Sequence, residues 1–527
     1  MKIISTRKAI FALLCLATVI RAFADGSFSE NGFNYTIMKK DSSSLLLTSY
    51  EPVPGTDYAQ PLHIPSSVTH EGKTYSVKRI ETRAFMGITE IQSIVIDEGV
   101  ENIGDYVFEC CTNLRSIYIP ASVRSIGTGL FGSCYNLTSI KVDEKNEYCD
   151  SRDGSNAIIL SGFDELAVAC SATKIPASVK KLGNFSFYHC NVMEQLVIPE
   201  GVETIGHDVF FECSGLKSIS LPESLTEIGV NAFHGCTSLT SIYIPKNVTK
   251  IREENIFRGC NNLVSIVVDK SNPNYDSRSN CNGIVRKSDS ALIAACRSTT
   301  IGNDISTVED YCFEDIAIHS VNIPKNVTRL YARSFLGCCE IDEINVSEDN
   351  PNYSSPKGSN ALLSKDGKTL VMGCRTTIIP ESVDTIGDYA FWGRYSNLVL
   401  RIPENIKTIG WDAFGGCNFI LEAILPKTLQ YIGCFAFQDC FNLSVVQLSA
   451  PVSLNDCTFS NCYRLSTVSL PEGLKRIGRE VFSNCKSLKH IHIPSSVTSI
   501  DESAFENTPI SEKMMKHIHL PLQNKSF

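Results

Sequence analysis

A period of 23 residues runs through almost the whole chain. Pro176, Pro199, Pro222 and Pro245 follow one another at this interval, as do Pro380, Pro403 and Pro426. The text between them recurs as well. Leu114 opens LRSIYIPASVRSIGTGLFGSC, Leu216 opens LKSISLPESLTEIGVNAFHGC, and Leu465 opens LSTVSLPEGLKRIGREVFSNC. A unit this short cannot bury its own apolar face, so successive copies must stack on one another. A length of 527 residues would ordinarily suggest several globular domains. The repeat overrides that expectation and predicts a solenoid, which presents extended surface rather than a deep pocket.

Each copy divides into three parts. In the first, Ile117 and Ile119 alternate with Ser116 and Tyr118, the pattern of a short strand with one buried face. Pro120 ends that strand, having no N–H to give. The second part, V-x-x-I-G, is carried by Val123, Ile126 and Gly127, with the glycine expected at a tight turn. The third part, A-F-x-x-C, sends Phe108, Phe131, Phe210, Phe233, Phe414, Phe437 and Phe482 to one register position, where stacked rings would form a spine. The expected fold is a curved, β-rich solenoid. One short strand per coil lies on the concave face, with second short strands and helical turns on the other side.

A cysteine recurs in the same register: Cys110, Cys134, Cys190, Cys213, Cys236, Cys260, Cys338, Cys417, Cys440, Cys462 and Cys485. Neighbours in such a ladder sit about 4.8 Å apart with parallel Cβ vectors. A disulfide wants Cβ atoms about 3.8 Å apart and a dihedral near 90°. The ladder is therefore read as free, buried thiols acting as small hydrophobes. Repetition in every coil describes packing, not catalysis or metal binding. The adjacent pairs Cys110-Cys111 and Cys338-Cys339 read as one buried and one turn residue each.

Three copies are longer, with register positions 33 residues apart, at 143–176, 269–302 and 347–380. Their inserted segments are alike: NEYCDSRDGSNAIILSGFDELAVAC, NPNYDSRSNCNGIVRKSDSALIAAC and NPNYSSPKGSNALLSKDGKTLVMGC. Each predicts a β-hairpin added to one coil, in the first copy from Ala157–Leu160 and Leu166–Cys170. Asp150 and Asp153 do not follow EF-hand spacing, and the third copy keeps neither acid.

Residues 1–24 read as an export signal. Lys2, Arg7 and Lys8 precede the apolar run Ala9–Ile20, and Ala22-Phe23-Ala24 is a small-x-small cleavage site. Cleavage after Ala24 removes four basic residues and no acid, taking the formal net charge from −9 to −13. It also removes Cys15 and leaves 21 cysteines of 22, an odd number. Residues 25–77 are expected to cap the solenoid, 78–509 to form it, and 510–527 to close it with a partial strand. No later apolar run is long enough to span a bilayer. The absence of a basic block argues against a nucleic-acid partner.

The pattern L-x-S-I-x-I-P-x-x-V-x-x-I-G-x-x-A-F-x-x-C resembles the leucine-rich repeat of the BspA-like family of bacterial surface proteins. The inserted Tyr275-Asp276-Ser277-Arg278 and Leu292-Ile293-Ala294-Ala295-Cys296 are similar to that family's extended repeat. The resemblance runs from about residue 28 to the end. It implies a secreted or cell-surface protein that binds other proteins, either host matrix proteins such as fibronectin and fibrinogen or other bacterial surface proteins. It brings no binding motif, cofactor or oligomeric state with it. The other reading left open is a structural component of the cell envelope with no specific ligand.

Candidate binding residues are those that depart from the serines on the outward strand positions: Arg115, Tyr118, Lys141 and Tyr243. Exposed tyrosine and arginine are common anchors at interfaces. Trp392 and Trp411 fall in consecutive coils, where FWGRYSN replaces F-x-x-C. They either form an exposed aromatic patch or fill the core where the cysteine is missing. Near the C-terminus, His490 and His492 alternate in KHIHIP, and KHIHLP repeats the pattern with His517 and His519. If the two segments stack, four imidazoles meet, a set suited to zinc, copper or nickel. No nucleophile elbow, zinc-protease helix motif, Walker loop or glycine-rich dinucleotide turn occurs, and the chain is expected not to be an enzyme.

Overall fold

Two parallel stacks begin at the first strands of the chain. The computed structural model describes residues 26–252, 256–331, 333–394 and 396–510. The chain divides into two units, one up to Leu216 and one from Lys217. In the first unit β1 (Ser27–Glu30), β2 (Phe33–Met38) and β3 (Asp41–Tyr50) form an antiparallel meander. After β4 (Leu62–Ile64) and β5 (Ser67–His70), β6 (Lys73–Ile80) lies parallel to β3. From here two parallel stacks grow. β4 pairs with Ser93–Ile96, which pairs with Ser116–Ile119, which pairs with Ser139–Val142. The end of β6 pairs with Asn102–Ile103, and that strand with Ser125–Ile126. The expected strand and the V-x-x-I-G element are thus the two β sides of each coil.

The second unit repeats the arrangement. Val399–Arg401, Glu422–Leu425, Val445–Leu448 and Thr467–Ser469 form one parallel stack. Thr369–Gly373, Thr385–Ile386, Thr408–Ile409 and Tyr431–Ile432 form another. Along the long strands Ala423 and Leu425 are buried while Glu422 and Ile424 are half-exposed, the period-two pattern read from the repeat.

The third side of each coil, the A-F-x-x-C arc, is a run of turns. The only helical segments among the described residues are two short 3-10 turns in the extended coils, Arg152–Gly154 and Arg278–Asn280. In the arc a left-handed residue stands two places before the phenylalanine and another two places after it. Tyr106 (φ 54°) and Cys110 (φ 61°) flank Phe108; Asp412 (φ 53°) and Gly416 (φ 66°) flank Phe414. The alternation turns every second N–H along the stacking axis. Tyr106, Phe108 and Cys110 donate to the carbonyls of Thr128, Leu130 and Gly132 in the next coil, at 2.9, 3.1 and 2.8 Å. Asp412, Phe414 and Gly416 do the same to Cys434, Ala436 and Gln438. The arc is therefore a hydrogen-bonded ladder without being a strand or a helix.

Inside the arc the phenylalanines stack as expected. Phe391–Phe414, Phe414–Phe437, Phe437–Phe459 and Phe459–Phe482 have ring centroids 5.1, 5.2, 5.4 and 5.8 Å apart and lie within 16° of parallel. The glycine of V-x-x-I-G serves close approach rather than a strained turn. Gly127 has no positive φ, and a Cβ there would lie 2.4 Å from the Gly104 carbonyl of the coil before.

The cysteine ladder has a polar function as well as an apolar one. Cys134 Sγ donates to the Phe108 carbonyl at 3.0 Å, Cys417 Sγ to Phe391 at 3.1 Å, and Cys440 Sγ to Phe414 at 3.2 Å. Each of these phenylalanine carbonyls also accepts the N–H of the cysteine in its own coil where one is present, as Phe108 does from Cys111. The thiol fills the second lone pair of an otherwise half-satisfied buried carbonyl. One register assignment needs correction. Cys111, not Cys110, occupies the ladder, donating to Phe85 O at 3.2 Å, because F-x-x-C counts from Phe108. Cys110 is the left-handed turn residue beside it. Burial raises the ladder thiols, Cys111, Cys213 and Cys260 each to about 12.

The three long coils carry the expected hairpins, each bound by a further strand. Cys149–Asp150, Ala157–Leu160 and Glu165–Ala169 are antiparallel, and the last then joins Lys181–Leu182 in parallel. A buried asparagine holds each insertion to the coil before it. Asn350 donates through Nδ2 to the Pro324 and Val327 carbonyls (2.7 and 3.0 Å) and accepts through Oδ1 from the N–H groups of Asn352 and Tyr353. Asn146 and Asn272 make the same four bonds. Asp150 and Asp276 are occupied by Arg152 and Arg278 at 2.7 and 2.9 Å.

Replacing Asn350 by alanine leaves the buried Val327 carbonyl and two N–H groups without their partner, while the Pro324 carbonyl keeps the Val327 N–H, at about 1–3 kcal/mol for each buried group left unmade. Urea denaturation of Asn350→Ala should show a loss of more than about 3 kcal/mol. The exposed Asn345→Ala should stay within about 0.5 kcal/mol of the parent. In a thiol-reagent titration of the native protein, the exposed Cys339 should react first, and the ladder thiols only after unfolding.

Candidate functional site

The outward strand faces follow the repeat, so a site must be sought where coils break the pattern. Arg115, Tyr118 and Lys141 belong to the first unit. Tyr118 and Lys141 are neighbours in adjacent strands, and Arg115 is exposed just before the Tyr118 strand. Tyr243 belongs to the second unit. Both tyrosines have a structural partner. The Tyr118 hydroxyl donates to Asp143 and the Tyr243 hydroxyl to Asp269, each acid lying at the start of an extended coil. These bonds push both phenols up to about 12 and hold Asp143 and Asp269 below the usual carboxylate range. Tyr243 nonetheless remains 45% exposed.

The tryptophans lie on the arc side. Trp411 is 48% exposed, with its ring 6.4 Å from Tyr389 and 5.8 Å from Phe435. Arg333 lies over Tyr311 at 4.5 Å and over Tyr389 at 6.0 Å. Trp392 is half-buried and its indole N–H bonds to the Asp412 carboxylate. Neither indole fills the place of the missing cysteine. Arg394 does, at 2% exposure, and its guanidinium bonds to the carbonyls of Phe335 (2.7 Å), Tyr389 (3.0 Å) and Ala390 (3.1 Å). It satisfies the Phe335 carbonyl across an intervening extended coil, a distance that a cysteine could not reach.

His490 and His492 are both exposed on either side of buried Ile491, but the segment is not a strand. His517 and His519 lie outside the described residues. Among the described residues no group of three or more His, Cys, Asp or Glu is placed to hold a metal ion.

The structure brings together a set of exposed apolar residues in adjacent coils. In the stack from Val399–Arg401 to Thr467–Ser469, the polar positions of L-x-S-I turn apolar. Leu398 (57% exposed), Val399 (39%), Leu421 (39%) and Phe419 (56%) face out, beside half-exposed Ile424 and Val445. Leu421 N–H bonds to Leu398 O at 2.7 Å, so these two side chains are neighbours across the ladder. In most other coils these positions carry serine, threonine, lysine or arginine. The signal was present in NLVLRIP and NFILEAILP, where leucine and valine replace the polar residues of the repeat.

Parallel coils of this sequence and geometry define a leucine-rich-repeat solenoid. A family model described as a BspA type leucine rich repeat region (6 copies) matches residues 66–161, 156–284, 293–357 and 372–455, well over half of the chain. The chain belongs to that family. It is similar in fold to a leucine rich cell surface protein from Faecalibacterium prausnitzii, at 20% identity over 94% of this chain and 98% of that one, with a TM-score of 0.37. Leucine-rich repeat proteins from Bacteroides ovatus (22% identity, 92% and 97% covered, TM-score 0.32) and Eubacterium ventriosum (20% identity, 92% and 94% covered, TM-score 0.31) are also similar. No curated protein matches the chain. No helix among the described residues is long and apolar enough to cross a membrane.

Asp412 gives the arc a measurable pH dependence. Burial, and then the neighbouring Asp439 charge, raise its carboxyl to about 7, while the Trp392 indole pulls the other way. The native state therefore holds a proton that the unfolded chain releases near pH 4, and stability falls as pH rises from about 4 to about 7. Asp412→Asn should flatten this slope and raise the midpoint of unfolding at pH 8, with little change at pH 4. Urea titrations at the two pH values check this.

Proposed function

We propose that this chain is an exported, non-catalytic protein-binding module that engages proteins of a host or bacterial surface through its outward strand faces. The observation that carries the reading is the apolar stretch around Leu398, Val399, Phe419 and Leu421. Exposed apolar side chains gathered in consecutive coils favour a partner that removes them from water. Their setting in consecutive coils of a rigid parallel stack keeps the patch ordered before binding, which lowers the entropy lost on association. Arg115, Tyr118 and Lys141 in the first unit, and Tyr243 in the second, are further and more polar candidates, with the tyrosines held in place by Asp143 and Asp269. Membership in a leucine-rich-repeat family accords with protein recognition. The leader read from residues 1–24 accords with export, and a mature charge of −13 favours a basic partner.

Residues 25–527, immobilised and screened against matrix, plasma and bacterial surface proteins at physiological salt, should give a saturable hit. Leu398→Ser with Leu421→Ser should weaken it at least tenfold, with the thermal midpoint unchanged. Binding that ignores this double substitution, or that is lost only with Tyr118→Phe and Tyr243→Phe, would rule out the apolar patch as the site.

A further inference from the structure

A row of aromatic side chains runs along the arc of the second unit. Tyr389, Trp411 and Phe435 come from three consecutive coils, with successive ring centroids 6.4 and 5.8 Å apart. Arg333 continues the row across the third extended coil, lying over Tyr389 at 6.0 Å and over Tyr311 at 4.5 Å. Trp411 is exposed and the other four are half-buried.

The fold does not require rings at these positions. Tyr311, Tyr389 and Phe435 stand two places before a core phenylalanine, at φ 60°, 55° and 62°. Asn231, Cys457 and Glu480 hold the same place in other coils of the unit. At positive φ a bulky side chain is disfavoured, and asparagine or glycine is the easier choice. Strain of order 1 kcal/mol, kept at three positions of one surface row, points to a use for the rings beyond folding.

Polar groups beside the rings have bonding capacity to spare. Asp388 is exposed, and its Oδ1 accepts the Trp411 N–H at 2.7 Å, which holds the carboxylate where the Tyr389 and Trp411 coils meet. Its Oδ2 has no hydrogen-bond partner among the described residues. The Arg333 guanidinium is held by Asp310 at 2.7 Å and by the Tyr311 hydroxyl, which leaves further N–H groups for a ligand. The row thus offers flat apolar faces, an acceptor and a donor, repeated along one line.

We propose that this row binds a linear, uncharged polysaccharide, with successive pyranose rings laid on Tyr389, Trp411 and Phe435 and their hydroxyls bonded to Asp388 and Arg333. The C–H bonds on a pyranose face are drawn to the negative face of an aromatic ring. A ligand that repeats suits a platform that repeats, because each further sugar binds as an intramolecular step. The formal net charge of −9 disfavours nucleic acids and acidic glycans. A proline-rich segment, another linear ligand of aromatic surfaces, brings carbonyl acceptors and leaves Asp388 without a donor. The row lies on the arc, apart from the apolar stretch of the strand faces, and does not depend on it.

The test is calorimetric titration of residues 25–527 with cellohexaose, chitohexaose, mannohexaose and maltohexaose, their monosaccharides, and a proline-rich decapeptide. At least one hexasaccharide should bind saturably, at least tenfold more tightly than its monosaccharide, and should protect Trp411 fluorescence from acrylamide. Trp411→Ala and Tyr389→Asn should each weaken it at least tenfold. Asparagine tolerates the left-handed backbone, so Tyr389→Asn should melt close to the parent temperature, which shows that the fold is intact. Leu398→Ser with Leu421→Ser should leave saccharide binding unchanged, which separates this site from the apolar stretch. No saturable hexasaccharide binding, a monosaccharide bound as tightly, binding unchanged in both ring variants, or tighter binding of the proline-rich peptide would overturn the proposal.

Discussion

Each coil depends on backbone hydrogen bonds that run along the stacking axis to the next coil. On the two β sides these are ordinary parallel-ladder bonds. On the arc they exist only because left-handed residues alternate with right-handed ones, so that Phe414 N–H reaches Ala436 O and its neighbours do likewise. The arc spends conformational strain at two positions per coil, of order 1 kcal/mol each when the residue is not glycine. In return it satisfies buried polar groups that would otherwise have none. The phenylalanine spine and the thiol ladder are consequences of this. Once arcs superpose, identical side chains meet at ring separations of 5 to 6 Å, and one phenylalanine carbonyl in each coil has a lone pair left over for a thiol.

The same constraint explains how the fold takes on longer copies. An insertion is tolerated where its last strand can resume the short-strand stack, as Glu165–Leu166 does against Lys181–Leu182. It must also leave the preceding coil's carbonyls occupied. Asn146, Asn272 and Asn350 do this on one side of the coil. At the third insertion Arg394 does it on the other, bonding to the Phe335 carbonyl of the coil before the insertion. A buried guanidinium is an expensive way to satisfy a carbonyl. Here it bonds to three carbonyls at once, which a shorter side chain could not do.

The sequence revealed those parts of the fold that repeat. The 23-residue interval, the alternation in SIYIP, the phenylalanine register and the three hairpins all appear in the structure as read. What escaped was set between coils. Tyr, Arg, Phe, Glu and Cys at positive φ carry no local signature, because the next coil and not the residue fixes the backbone there. Tyr118 and Tyr243 looked like free anchors because Asp143 and Asp269 lie 25 and 26 residues further on. Cys110 and Cys111 adjoin, and only the count from Phe108 tells the turn residue from the ladder thiol. The apolar stretch was present in plain text at Leu398 and Leu421. It was obscured because leucine in a leucine-rich repeat reads as core until the strand face is known.

The most direct test removes one whole coil. Deleting Glu404–Pro426 joins Pro403 to Lys427 in register and leaves strand facing strand and arc facing arc. Deleting half as much, Glu404–Gly415, puts strand against arc. If axial bonds between like positions hold the second unit together, the first deletion keeps the far-ultraviolet spectrum per residue and a single cooperative transition. The second should lose both. Equal tolerance of the two deletions, or unfolding by both, would contradict the account.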